Sequence, residues 1–324
     1  MYRLLKGAFM IDIRNFVQLG ISSILLYPKA LKNSLSLFTA IEESCHLEHF
    51  EVIESYLPHE KDIRSEAIKT IKETGRTIHY NSPLPFQLDG PYSCGSSNAE
   101  YRKNSFKLIK QHIEYAAEAD APLFVLTGCI DKGEEERAAR LSYLEDFICY
   151  ASEEAVQHGI KMVLEPIERH QFKKIVLGPT EDCVSMAKRV MGRNIKNFGL
   201  MLDVMHLPLM EETFDHALEN ILETGLDHVH MGDCVTDPSS SYYGHTHPPF
   251  GIQKGTFNQQ DYSYQFFKFL ECGYLSSTPS VENKPTISIE AQAYPGVSPR
   301  TSSIVFYEKL NSAFADALVK FKNQ

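Results

Sequence analysis

The run FGLMLDVMHL, Phe198 to Leu207, is apolar enough to be a buried strand, yet it carries Asp203 and His206 at its end. An unpaired carboxylate buried there would be costly or would neutralise itself, so a compensating positive charge is expected beside it. The pattern recurs along the chain. KMVLEPI brings Glu165 to the end of an apolar run, DHVHMGD brings His230 and Asp233, and TISIEA brings Glu290. Glu54, His79 and Thr127 close earlier runs in the same way. If these runs are successive strands of a closed sheet, Glu165, Asp203, His230 and Glu290 meet around one centre. Three carboxylates and one imidazole suit a hard or borderline divalent ion, Mg²⁺, Mn²⁺, Co²⁺ or Zn²⁺, with positions left for substrate oxygens.

The elements that would hold these residues alternate. Candidate strands are ISSILLY from Ile21, FEVIES from Phe50, RTIHY from Arg76, LFVLTG from Leu123, KMVLEPI from Lys161, FGLMLD from Phe198, DHVHMGD from Asp227 and TISIEA from Thr286. Helical spacing lies between them. In NSFKLIKQHIEYAAEA, Phe106, Ile109, Ile113 and Ala116 recur at three- and four-residue intervals. EEERAARLSYLEDFICYASEEAVQHG starts acid-rich and ends at Gly159, which favours both helix termini. NSAFADALVKF reads as a final helix, and FFKFLECGY as part of a helix covering the barrel. Strand and helix in eightfold alternation predict parallel strands with right-handed crossovers, closed into a (β/α)8 TIM barrel. No Gly-, Ser- or Pro-rich linker divides residues 1–324, so one barrel domain is expected. Two long loops follow the third and seventh strands, at residues 81–100 and 234–262, on the face where such barrels place their active sites. They read as lids or substrate walls.

Composition narrows the partners. With 324 residues, 43% of them hydrophobic, the chain can bury a large core. A net charge of -10 opposes sequence-independent nucleic-acid binding, which needs Lys and Arg on phosphates. Seven cysteines form no CxxC pair, so neither a disulfide framework nor a thiolate zinc site is expected, and a reducing cytoplasm is the natural location. The first residues, MYRLLKGAFMIDIRNF, are interrupted by Asp12 and Arg14 before they could serve as a signal segment. No window approaches the roughly 18 apolar residues of a membrane-crossing helix.

LEPIER, MLDVMH, HVHMGD and ISIEA resemble the fifth- to eighth-strand motifs of the xylose isomerase-like barrels, the superfamily of ketose 3-epimerases, sugar isomerases, inosose dehydratases and apurinic endonucleases. The resemblance implies a divalent metal on Glu165, Asp203, His230 and Glu290, with His206 facing substrate or a further metal. It also implies that Glu165 and Glu290 stand on opposite faces of a sugar, one removing and one returning a proton. Such a metal polarises a carbonyl and stabilises the enediolate formed when the adjacent C–H proton leaves. The chain departs from the epimerases where they carry an arginine after the seventh-strand histidine, near Thr236 here, and a glutamate where Gln171 stands. GHTHPPFG resembles the run in which the apurinic endonucleases bind an extra metal, with His245 in place of their aspartate, and His79 resembles one of their third-strand ligands; Thr127 replaces their fourth-strand histidine.

Three readings of His245 and His247 follow: a substrate contact, a second metal position with His206, or ordered loop residues. His79 is a candidate substrate contact, and Glu168 and Arg169 are candidates to bind sugar hydroxyls or to pair at the rim. Tyr242, Tyr243, Phe250 and Phe257 either stack on a substrate or pack the loop. The leading expectation is a metal-dependent sugar isomerase or epimerase. The alternative is a lyase on oxidised sugars, a dehydratase or a 3-oxo-glycoside or C-glycoside deglycosidase, the last resembling barrels that work with a small β-rich partner subunit. A phosphodiesterase and a non-catalytic sugar-binding protein rank below both. A carbohydrate substrate and a homo-oligomer or small partner subunit are the expected partners.

Overall fold

The computed structural model describes residues 11–82, 86 and 88–324. The sequence reading of residues 1–10 lies outside the described residues. The order of elements is β1 Gln18–Ser22, α1 Ser23–Leu26, α2 Ser34–Cys45, β2 Val52–Ser55, α3 Lys61–Glu73, β3 Thr77–Asn81, α4 Ala99–Glu118, β4 Leu123–Thr127, α5 Glu134–Val156, β5 Lys161–Glu165, α6 Thr180–Gly192, β6 Phe198–Asp203, α7 Leu207–Met210, α8 Phe214–Leu222, β7 Leu226–Met231, α9 Gln259–Glu271, β8 Thr286–Ile289 and α10 Pro299–Lys322. All neighbouring strands pair in parallel, and β8 returns to β1, so the sheet closes. This is the (β/α)8 TIM barrel expected from the alternation.

Period two decides what the interior contains. On β4, β5 and β6 the inward positions Leu123, Val125, Val163 and Met201 form a small apolar cluster of their own. On β2, β3, β7 and β8 the inward positions are Glu54, His79, His228 and Ser288, all buried. Half the barrel interior is therefore polar. The larger core lies outside the strands, between them and the helices, and includes Phe147, Phe198, Phe266, Phe269, Phe306 and Phe314.

Two elements differ from the sequence reading. The first strand was expected from Ile21 to Tyr27, but it is Gln18–Ser22, and Ser23–Leu26 turns helical. Gly20 disguises it: a Cβ there would stand 2.1 Å from Ser288 Oγ across the barrel wall, so the close approach of β1 and β8 requires glycine. The last helix starts at Pro299, well before the expected Asn311, because Ser298 caps it by accepting from the Thr301 N–H and Pro299 suits the first turn.

The long stretches after β3 and β7 run over residues 82–98 and 232–258. Asp233 anchors the second: its Oδ1 accepts backbone N–H groups of Cys234, Thr256 and Phe257 at 2.8, 2.9 and 3.1 Å. Phe250 is fully buried against Tyr262 and Phe306, and Tyr243 packs edge-on to Phe172. Phe250 thus holds the loop to the helices of the barrel, and Tyr243 rests on the stretch after β5. No helix among the described residues is long and apolar enough to cross a membrane.

Candidate metal centre

Glu165 and Asp203 end β5 and β6, Asp203 pairs with His230 on β7, and Glu290 follows β8 directly. Adjacent strands therefore deliver all four to the C-terminal mouth. Each is buried, and one donor atom from each lies within 4.8 Å of the others. His230 Nδ1 stands 3.7 Å from Glu165 Oε1 and 3.5 Å from Glu290 Oε2. Asp203 Oδ1 accepts the Met205 N–H at 2.9 Å, but Asp203 Oδ2 and His230 Nδ1 have no hydrogen-bond partner. Burial, then the charge of Glu290, pushes Asp203 well above the usual carboxylate range. For Glu290 burial acts upward, but His230 and His247 outweigh it and hold the acid to about 2. Three crowded carboxylates with an orphaned oxygen and an orphaned imidazole nitrogen make a donor set that a divalent cation could complete.

A second layer aims His230. Glu54, fully buried on β2, accepts from His230 Nε2 at 2.8 Å and from His228 Nε2 at 2.7 Å. Burial works against its charge, yet His230 and His228 outweigh it and hold Glu54 well below the usual carboxylate range. An ionised carboxylate only accepts, so both Nε2 atoms carry their protons and His230 turns Nδ1 toward the carboxylates. His228 Nδ1 in turn meets Thr286 Oγ1 at 2.7 Å. This is the carboxylate–histidine support found behind metal ligands.

A third cluster sits beside the first. His206 Nδ1 lies 2.9 Å from the Pro166 carbonyl and therefore donates to it, leaving Nε2 without a partner. His245 Nδ1 donates to the buried Glu168 at 3.0 Å, and His245 Nε2 is 3.1 Å from His247 Nε2. One nitrogen from each of the three rings falls within 4.8 Å of the others. Burial pushes His206 down to about 4 and His245 and His247 down to about 3, so all three are neutral donors at neutral pH. His247 holds a left-handed backbone, φ 49°, and its carbonyl accepts the Gln292 N–H at 2.8 Å, which pins the loop to the end of β8.

The mouth opens into a cavity of about 370 Å³ lined by Glu165, Glu290, His206, His245 and His247, with Asn81, Thr127, Lys173 and Gln292 among its other polar groups. Asp203 and His230 lie behind that surface. Three residues expected on substrate do not line it. His79 is buried inside the barrel, 3.6 Å from Glu54. Glu168 is taken by His245 and by the Lys173 N–H. Arg169 bends back to the Val176 carbonyl at 2.7 Å and to Asp182, because its loop needs that carbonyl satisfied. Glu54 and His228 carried no assigned role in the sequence reading; the signal available for His228 was its place two residues before His230, on the same face.

A family model described as xylose isomerase-like TIM barrel matches residues 38–282. Among curated proteins none matches the chain significantly in sequence. Similar solved structures include a D-tagatose 3-epimerase-like protein, 19% identical, covering 91% of this chain and 98% of that one at a TM-score of 0.68. D-psicose 3-epimerase from Clostridium cellulolyticum H10, with D-tagatose, is 16% identical over 94% and 98%, TM-score 0.62. A 3-keto-D-glucoside 4-epimerase from E. coli is 18% identical over 90% and 99%, TM-score 0.59. At these identities the likeness shows the fold.

Proposed function

The chain belongs to the xylose isomerase-like TIM-barrel family, and we propose that it is a divalent-metal-dependent sugar epimerase or isomerase that moves a proton through an enediolate. The observation that carries this reading is the convergence of Glu165, Asp203, His230 and Glu290 at the barrel mouth, with both glutamates on the cavity surface. A cation held by these four would polarise a substrate carbonyl and stabilise negative charge on it. Glu165 and Glu290 approach the His230 ring from β5 and β8, which supports their taking and returning a proton at opposite faces of a bound sugar. Glu290 is held ionised and can begin as the base. His206, neutral with Nε2 free to accept, is placed to hold a substrate hydroxyl.

Solvent-deuterium exchange tests the reading. Metal-loaded protein should wash deuterium into a C–H beside the carbonyl of a ketose or an oxidised glycoside, and Glu290→Gln should abolish that exchange without unfolding the protein. Undiminished exchange in Glu290→Gln would remove Glu290 from the proton path. The same reagents separate elimination from epimerisation: release of water or an aglycone marks a lyase. The likeness to a 3-keto-D-glucoside 4-epimerase supports an oxidised glycoside as substrate, with epimerisation as the reaction.

The finer part of the proposal is a second cation on His206, His245 and His247. Metal titration of the chelated protein should then show two tight equivalents, and His247→Ala should lose one. A single equivalent in both proteins would leave these rings as substrate contacts.

A further inference from the structure

The wall of the metal cavity has two faces. The ends of β5 and β8 and the loop after β7 supply carboxylates and imidazoles; the segments after β1 and β2 supply Ile24, Leu25, Leu31 and Tyr56. The apolar face does not stop at the cavity. Leu31 and Tyr56 also line a second hollow, of about 500 Å³, whose wall continues to Leu37, Pro58, Tyr92 and Leu108. Leu31 is 50% exposed and Tyr92 42% exposed, so large apolar groups face water beside an ionic site. Contiguous apolar surface of that kind marks a place where something binds.

A free ketose does not match this wall. It carries oxygen on every carbon, and hydroxyls pressed against Ile24, Leu25 and Leu31 would lose water without gaining a partner. A sugar that bears a flat apolar substituent on the side away from the carboxylates matches both faces. The tyrosine rings offer surfaces for an aromatic group, and Asn33, Ser34, His59 and His112 are the other polar residues lining the hollow.

We propose that the second hollow is an aglycone subsite, so that the substrate is an oxidised glycoside, with a carbonyl on its sugar ring, whose sugar lies at the metal centre and whose aromatic aglycone lies across Leu31 and Tyr56 toward Tyr92. This rests on the reading of Glu165 and its neighbours as the place where a sugar is held. It places the selectivity of the protein in the loops after β1, β2 and β3, away from the residues that move the proton.

The test is calorimetric titration of the metal-loaded full chain with two inert probes, methyl β-D-glucopyranoside and phenyl β-D-glucopyranoside. The phenyl glycoside should bind at least about tenfold more tightly, through the apolar area it removes from water. Tyr92→Ser, at an exposed residue that lines the second hollow and not the metal cavity, should shrink that ratio several-fold while metal content and the affinity for the methyl glycoside stay unchanged; Tyr92→Phe should keep it. Equal affinities, no binding of the phenyl glycoside, or an unchanged ratio in Tyr92→Ser each overturns the proposal. So does a second copy of the chain on this face, which would appear as a concentration-dependent dimer that Tyr92→Ser dissociates with the ratio unaltered. The two readings fail separately: without an aglycone subsite, exchange into free ketoses persists, and without proton transfer the preference for the phenyl glycoside persists.

Discussion

Glu54→Gln asks whether the metal centre depends on a residue that never touches the cavity. Glu54 is fully buried and accepts two N–H bonds, 2.7 Å from His228 and 2.8 Å from His230. Glutamine keeps the shape but supplies one acceptor and one donor. Its amide can satisfy one ring; its NH₂ then faces the N–H of the other. Relief comes only if a ring moves its proton to Nδ1. When that ring is His230, the nitrogen facing Glu165 and Glu290 can no longer donate a lone pair to a cation. A hydrogen bond to a charged group contributes about 1.5–3 kcal/mol, and about 1.4 kcal/mol is a factor of ten in affinity. Metal affinity should therefore fall by about 10–100-fold, the range found when such supporting carboxylates are altered. The assay is competition of chelated protein with a metal-sensitive dye, paired with thermal unfolding of the metal-free form. His228→Gln removes one of the two bonds to Glu54 yet leaves the His230 bond in place, so it should weaken the metal less. An affinity for metal within twofold of the parent in a folded Glu54→Gln protein would refute the idea that Glu54 aims His230.

The candidate cluster was legible because strands consecutive in sequence are neighbours in a parallel barrel. Glu165, Asp203, His230 and Glu290 lie at or just past the C-terminal ends of β5 to β8, so a linear reading of strand ends reconstructs the ring. Glu54 and His228 were harder. Their bond spans 174 residues and crosses the barrel interior between strands that are not adjacent, so it exists only after closure. Depth was also invisible. His79 ends an apolar run as the four clustered residues do, but its ring stays in the polar interior against Glu54 and His228. Arg169 shows the limit of adjacency: four residues beyond Glu165, it follows its own loop to Val176 rather than the cavity. The apolar wall was missed because Ile24 and Leu25 read as a strand continuing from Ile21, whereas β1 ends at Ser22 and the helical turn after it carries them to the mouth.

Two further predictions concern the scaffold. Gly20→Ala places a methyl 2.1 Å from Ser288 Oγ and should cost about 1–3 kcal/mol in urea unfolding; Ser288→Gly should restore part of that loss, and strictly additive effects would show that the two strands do not meet as described. Asp233 carries a pH signature. Burial raises its pKa to about 6 from an ordinary 3.8, against the pull of three backbone N–H donors. Between those values the folded protein binds a proton that the unfolded chain has released, so the contribution of Asp233 is full below about pH 4 and is lost as pH rises through 6. Two pK units correspond to about 3 kcal/mol. Asp233→Asn keeps the acceptor oxygen and removes the charge, so its stability relative to the parent should climb across that interval and level off above it. A difference between the two proteins that stays flat from pH 4 to pH 7 would mean that Asp233 ionises as freely in the folded loop as in water, and that the anchor of the β7 loop is an ordinary surface acid.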